Sequence, residues 1–317
     1  AGGGGGRGPR SRVQPGSDAL IRVTLGLDEC ATGVTKEIQV DTAVLCETCH
    51  GKGSASDKPP ATCPICDDER QYVPPSGQGW TTLDSLQKRY TNGWRELEPN
   101  LISITTFPQF GIGQRAQLLC TPQGNILWDC IALVDQATVE LINGLGGLKA
   151  IAISHPHYYT CMAEWSRAFG GIPVYLHAAD KKWIMRGDPA IKLWEGETKE
   201  LLPGLTLICS GGHYPGGTTL HWAQGAGGKG ALLSGDIVQV VQDNKSVSFM
   251  WSYPNFIPLS APRVEGVVKS LKPYKFDRIH GAFADRTIWS DGKGVLERSA
   301  ERYLKIIRGD GSYELNY

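Results

Sequence analysis

The 317-residue chain has no excess of either charge, since Lys+Arg and Asp+Glu both number 32. Without a basic stripe nothing can neutralise a phosphate backbone, so no nucleic acid partner is expected; without an acidic run there is no solvating tail. Long apolar runs are also missing. None exceeds six residues, against the roughly 18–20 needed to cross a bilayer, so no membrane partner is expected. No signal-peptide core follows Ala1, and the chain is read as a soluble protein whose start is expected to lie upstream. A disulfide framework is lacking too. Of nine cysteines, five (Cys30, Cys120, Cys130, Cys161 and Cys209) are scattered, mostly in apolar segments. That usage points to an intracellular, reducing compartment, the cytoplasm or an organelle stroma.

The other four cysteines form two C-x-x-C pairs, Cys46/Cys49 and Cys63/Cys66. Each pair is a knuckle in which two thiolates reach one ion, and Gly51 and Gly53 free backbone amides to bend toward the sulfurs. Together the knuckles predict one structural Zn2+ on four thiolates, which serves as the core of a small β-rich module over residues 20–75. Strands are expected there at 20–25 and 35–40, and residues 1–19 read as a disordered Gly/Arg-rich tail. Residues 23–38, running into Cys46–Gly53, resemble the start of the substrate-binding region of DnaJ-type cochaperones, whose C-x-x-C-x-G-x-G repeat is matched by Cys46–Gly53. The resemblance is to a truncated cysteine-rich region. DnaJ proteins carry four repeats and two zincs, whereas Cys63-Pro-Ile-Cys66-Asp67-Asp68 lacks the glycines and no J-domain helix pair is present. Cochaperone function is therefore not implied, and the module is a candidate surface for a protein partner. Residues Asp67–Tyr72 read as part of a zinc ribbon attached to the domain that follows.

The stretch richest in chemistry is Ser154-His155-Pro156-His157-Tyr158-Tyr159-Thr160, directly after the apolar run 149–153. Two imidazoles two positions apart in a turn leaving a buried strand can grip one metal ion. Pro156 stiffens that turn by fixing its own φ and biasing His155 toward an extended backbone. Downstream, His213 sits in the glycine-rich loop after strand 205–209, Asp236 ends strand 231–235, and His280 ends strand 276–280. Further strands are predicted at 101–107, 116–120, 126–131, 149–153, 173–176, 218–222 and 246–250, with helices at 136–143, 161–169, 178–186, 261–271 and 295–308. Residues 76–98 read as a connector and 99–317 as the large domain. Hairpin-spaced strands flanked by helices make this an α/β chain with two packed sheets covered by helices.

The order H-x-H, Gly-His, Gly-Asp and a late His over residues 96–317 resembles the metallo-β-lactamase fold, a four-layer αββα sandwich. The resemblance implies a metal-dependent hydrolase with a metal site at one sheet edge. Where the family has an Asp and a second His, this chain has Tyr159 and Thr160. One ion is therefore expected, on His155, His157 and His213 with Asp236 as fourth or bridging ligand; His280 is left over from the second site. Zn2+ suits this set and Fe2+ is the less favoured choice. Asp236 is the candidate to orient or deprotonate a bound water. Tyr159 or its neighbour Tyr158 is the candidate donor to a developing oxyanion. Trp251, Tyr253, Phe256 and Trp289 are expected to wall the pocket, which suits a small organic ester, thioester, amide or lactone. Two rival readings keep the fold. One is a catalytically degenerate protein-binding module; the other is a mononuclear iron enzyme that oxidises thiols or persulfides.

Overall fold

The computed structural model describes residues 64–75 and 79–309, with the backbone alone for Cys66 and Asp67. The tail, both N-terminal strands, Cys46, Cys49, Cys63 and the Cys66 side chain lie outside the described residues. Packing divides the chain between Thr62 and Cys63, so every described residue belongs to the second unit.

That unit is built on two sheets. The first holds seven strands in chain order: β1 (Thr91–Glu98), β2 (Leu101–Phe107), β3 (Arg115–Leu119), β4 (Ile126–Trp128), β5 (Ala150–Ala152), β6 (Val174–His177) and β7 (Ile191–Trp194). Pairing is antiparallel from β1 to β4 and parallel from β4 to β7. Next come β8 (Thr198–Leu202), β9 (Leu205–Cys209), β10 (Thr218–Trp222) and β11 (Ala231–Gly235). Two small hairpins, β12 (Gln239–Val240) with β13 (Val247–Ser248) and β14 (Met250–Ser252) with β15 (Ile257–Pro258), precede β16 (Arg278–Gly281) and β17 (Thr287–Ile288). The second sheet has the order β17-β16-β11-β10-β9-β8.

Near-continuous apolar runs in the central strands, whose side chains alternate in direction, make both faces of each sheet apolar there. In β4, Ile126 and Trp128 join the core between the sheets while Leu127 joins the outer one; in β11, Ala231 and Leu233 face inward and Leu232 outward. Outside the first sheet, Ile142 of the helix Gln136–Gly144 and Trp165 of the helix Met162–Ala168 share a core with Leu118, Leu127 and Ile151. Trp165 is fully buried and satisfies its indole by donating to the Ile131 carbonyl at 2.9 Å. Outside the second sheet, the helices Ala261–Leu271 and Gly292–Arg308 bring Val264, Val267, Leu271, Val295 and Leu296 onto Ile208, Leu232 and Ile279. The layers thus run α-β-β-α, as the patterning predicts.

Several strands were not legible, among them three of four or more residues. The stretch 76–98, read as a connector with a short helix at 82–89, contains that helix as Leu83–Arg89 and also the whole of β1. β1 is an edge strand, largely exposed, whose Thr-Asn-Gly-Trp-Arg-Glu-Leu-Glu sequence lacks apolar alternation. It forms because β2 pairs with it along nearly its full length. β8, Thr-Lys-Glu-Leu-Leu, is an edge strand without clear alternation as well, whereas β7, Ile-Lys-Leu-Trp, is a largely apolar edge strand of only four residues. The expected helix 178–186 is a 3₁₀ helix, Ala178–Trp183. Among the described residues, no helix is long and apolar enough to cross a membrane.

Candidate metal centre

Three strand ends deliver the candidate ligands. After β5 the chain is pinned by the Ser154 N–H, which donates to the Asp129 carboxylate at 2.7 Å. Pro156–Tyr158 then forms a 3₁₀ turn. Side chains three apart eclipse in such a turn, so the His155 and Tyr158 rings come together at 4.4 Å. After β9 the backbone takes positive φ at Gly211 and Gly212, and the Ser210 and Gly211 N–H groups both donate to the Gly217 carbonyl at 2.8 and 2.9 Å. A Cβ on Gly217 would strike the Gly211 carbonyl oxygen, so only glycine permits the pinch that carries His213 inward. Asp236 follows β11 directly.

His155, His157, His213 and Asp236 converge so that their ligand atoms all lie within 4.8 Å of one another. Ring centroids are 5.0 Å apart for His155 and His157, 5.3 Å for His155 and His213, and 5.2 Å for His157 and His213. Nε2 of His155 is 3.6 Å from Oδ2 of Asp236. The far side of each ring is anchored. Ser154 Oγ holds Nδ1 of His155 at 2.9 Å. Nδ1 of His213 lies 3.1 Å from the Met250 carbonyl, which can only accept, so the proton sits on Nδ1 and Nε2 carries a lone pair. Nε2 of His155, Nε2 of His213 and Oδ1 of Asp236 are buried without a hydrogen-bond partner among the described residues. Three orphaned acceptors facing one another are costly unless a cation lies among them, so the residues present fit a divalent metal ion.

Electrostatics agree with that fit. Burial, then the neighbouring imidazoles, push the His155 ring well below its ordinary range and His157 down to about 3. Burial likewise lowers His213 to about 4. All three rings are therefore neutral near pH 7, the form that binds a metal. Burial raises Asp236 to about 7, countered in part by the Tyr158 hydroxyl.

The other candidates fall elsewhere. His280 does not join the group. Its Nε2 meets the Glu98 carboxylate at 2.7 Å, because β16 pairs with β11 so that His280 lies opposite Leu233, inside the sandwich rather than beyond its edge. Tyr159 follows the 3₁₀ turn into the core that holds Trp165 and Met162, while Tyr158, fully buried, lies against Asp236. Trp251 packs under the guanidinium of Arg263 at 4.8 Å, and Trp289 lies over His280 at 6.0 Å; neither lines the cleft. Sequence reasoning missed Asp68 and Arg70, which were assigned to the zinc module. Arg70 pairs with Asp68 at 2.5 Å and donates to the His213 carbonyl at 2.8 Å. Burial opposes the Asp68 charge, but Arg70 outweighs it and holds the carboxyl at about 2. Tyr214 was missed as well; its hydroxyl bridges His157 and Asp68. Nothing in local spacing marks these three.

A cleft of 1240 Å³ opens onto His157, Thr160 and Asp236. Its walls include Tyr72, Trp80, Phe110, Tyr253, Phe256 and Phe283. Among the described residues that line it, the one Lys or Arg is Arg70, whose guanidinium is already paired with Asp68.

No family model matches the chain. The Bacillus subtilis (strain 168) protein YmaE, described as uncharacterized, is 45 % identical over 268 residues, covering 84 % of this chain and 97 % of that protein. The chain belongs to the YmaE family. Solved structures extend the fold beyond it: VMB-1 (TM-score 0.52, 14 % identity, 68 % of this chain and 97 % of that one) and the metallo-β-lactamase DIM-1 (0.52, 11 %, 68 % and 98 %). This YmaE-family chain therefore has the metallo-β-lactamase fold. Its N-terminal region matches a second kind of protein. Chaperone protein DnaJ 1 of Mycolicibacterium paratuberculosis (strain ATCC BAA-968 / K-10) is 62 % identical over 60 residues, and DnaJ 2 of Mycobacterium tuberculosis (strain ATCC 25618 / H37Rv) 58 % over 65. These matches span 16 % and 17 % of those chaperones, and the resemblance is to a DnaJ cysteine-rich region.

Proposed function

We propose that this YmaE-family protein is a mononuclear metal-dependent hydrolase of a small, uncharged organic ester, thioester, amide or lactone. The observation that carries the reading is the set of orphaned buried acceptors on His155, His213 and Asp236, at the end of an aromatic cleft. His155, His157, His213 and Asp236 would hold the ion. When bound, it supplies a water of lowered pKa and a Lewis acid for a substrate carbonyl. Zn2+ is favoured by the three imidazoles; the metallo-β-lactamase FIM-1 from Pseudomonas aeruginosa, solved in a mono-zinc form, shares the fold at TM-score 0.50 and 13 % identity.

The chain's own residues supply the rest. Asp236 bounds the cleft with His157, so its carboxylate, besides holding the ion, would adjoin a nucleophile bound there and could orient it. Tyr253 donates to the Asp236 carbonyl at 3.0 Å and so fixes the backbone that carries the carboxylate. The aromatic walls suit an apolar acyl or aryl group, and with Arg70 paired to Asp68 no Lys or Arg among the described lining residues is left to anchor a substrate carboxylate or phosphate.

The test is elemental analysis of the purified full chain beside His155→Ala, followed by a screen of neutral aryl esters, thioesters and lactones. The expected result is one equivalent of zinc lost in His155→Ala, and turnover lost with it. Iron in place of zinc would favour the thiol-oxidising reading. Metal content unchanged by His155→Ala would overturn the metal reading.

A further inference from the structure

We propose that Asp68 and Tyr214 form a relay that places the proton of His157 on Nε2, so that Nδ1 is the atom His157 turns to the metal ion; this rests on the metal reading of the four-residue group. The direction of each hydrogen bond follows from the donor inventory. Arg70 gives Nε–H to Oδ1 of Asp68 at 2.7 Å and Nη2–H to Oδ2 at 2.5 Å. This buried fork holds Asp68 as a carboxylate, which can only accept. The Tyr214 hydroxyl has one hydrogen, and Oδ2 of Asp68 lies 3.2 Å away. Once that hydrogen is given to Asp68, the oxygen can only accept from Nε2 of His157, at 2.9 Å. His157 is thereby the Nε2–H tautomer, with its Nδ1 lone pair free.

The relay also has a fixed seat. The Arg70 guanidinium lies 3.7 Å from the centroid of the Tyr214 ring and 4.4 Å from that of Trp251. With Nη1 on the His213 carbonyl, one arginine steadies the Tyr214 ring and the backbone of a second ligand. His155 and His213 keep their protons away from the metal through local or main-chain partners. His157 does so through residues 57 and 89 positions away in the chain. Without the Tyr214 hydroxyl nothing selects its tautomer, and a fraction of molecules would present Nδ1–H to the ion.

The experiment is a Co2+ titration of the full-length wild type, Tyr214→Phe and Asp68→Asn, followed by the visible d–d bands. The spectrum of His213→Ala is subtracted to remove any cysteine-held ion. Tyr214→Phe is expected to weaken Co2+ binding by about 10–100-fold and to move the bands. Asp68→Asn keeps an oxygen that can accept and is expected to lose less. In the metal-free proteins, ¹⁵N imidazole shifts are expected to show His157 as Nε2–H in wild type and as a tautomer mixture in Tyr214→Phe, with both proteins folded at the temperature of measurement. A wild-type Co2+ signal that Tyr214→Phe leaves unaltered in affinity and band position overturns the relay alone. No wild-type signal beyond His213→Ala overturns the metal reading and the relay together.

Discussion

His213→Ala is expected to lower kcat/KM for a neutral ester by at least about 10³-fold, equivalent to about 4 kcal/mol of lost transition-state stabilisation. The same variant is expected to lose the part of the zinc-dependent thermal stabilisation that belongs to this site. A ligand at 100 times its Kd stabilises the native state by about 2.7 kcal/mol. In a unit of this size that amounts to roughly 5–10 °C in Tm. His213 is the sharpest single test because its ring is buried and anchored by the Met250 carbonyl. Its removal leaves His155, His157 and Asp236 in place but one nitrogen short. Thermal melts with zinc and with chelator would check it. Equal zinc-dependent shifts in wild type and variant would mean that the four-residue group holds no ion and that the zinc effect belongs to another site, such as the cysteine knuckles.

Glu98→Ala is expected to destabilise the protein by about 3–5 kcal/mol while leaving the metal in place. Oε2 of Glu98 accepts from the Ala226 N–H at 2.7 Å and from Arg278 at 2.8 Å, and Oε1 meets His280 at 2.7 Å. One carboxylate at the end of β1 thus ties the edge of the first sheet to β16 of the second and to the turn Gly225–Gly228. Alanine would leave a buried amide and a buried imidazole without partners. A fall in Tm of roughly 6–20 °C is the expected reading, with a smaller fall for Glu98→Gln, which retains an acceptor. Unaltered metal stoichiometry in the variant would place His280 in the structural network. Loss of the ion would return His280 to the metal site.

The same pair makes stability acid-sensitive. Although desolvation opposes it, His280, Arg278 and the Ala226 N–H hold the Glu98 carboxyl below its ordinary range. Its contribution is present above the unfolded value, about 4.3, and is lost as pH falls through the depressed folded value. Burial lowers His280, so the unfolded ring takes up a proton below about 6.5 while the folded ring resists. That contribution is likewise lost as pH falls. Melts from pH 7 down to 4 should therefore show falling Tm from the first step below about 6.5.

Much of the site was legible because it is local. His155-Pro156-His157 lies within three residues of one strand, and His213 and Asp236 each follow an apolar run that ends in a glycine-bearing turn. Tyr159 and His280 were misplaced because periodicity along the chain does not say which way a side chain turns at a strand end. Of the two candidate tyrosines, the 3₁₀ turn sets Tyr158 against Asp236 and leaves Tyr159 in the core, and parallel pairing with β11 sets His280 opposite Leu233 inside the sandwich.

The sequence by itself determined the αββα layering and the strand ends that carry the candidate ligands, which follow from alternation, glycine positions and short spacings that act over a few residues. The expectation of a single ion and the cysteine-rich likeness at the N-terminus came from resemblance to known families. Only the tertiary structure decided that Asp68 and Arg70, assigned by spacing to a zinc ribbon, brace Tyr214, His157 and His213. Only it showed that Glu98, in an apparent connector, holds His280 away from the metal. Hydrogen bonds between residues more than a hundred positions apart depend on which surfaces the packed sheets bring together, and no local pattern in the chain encodes that.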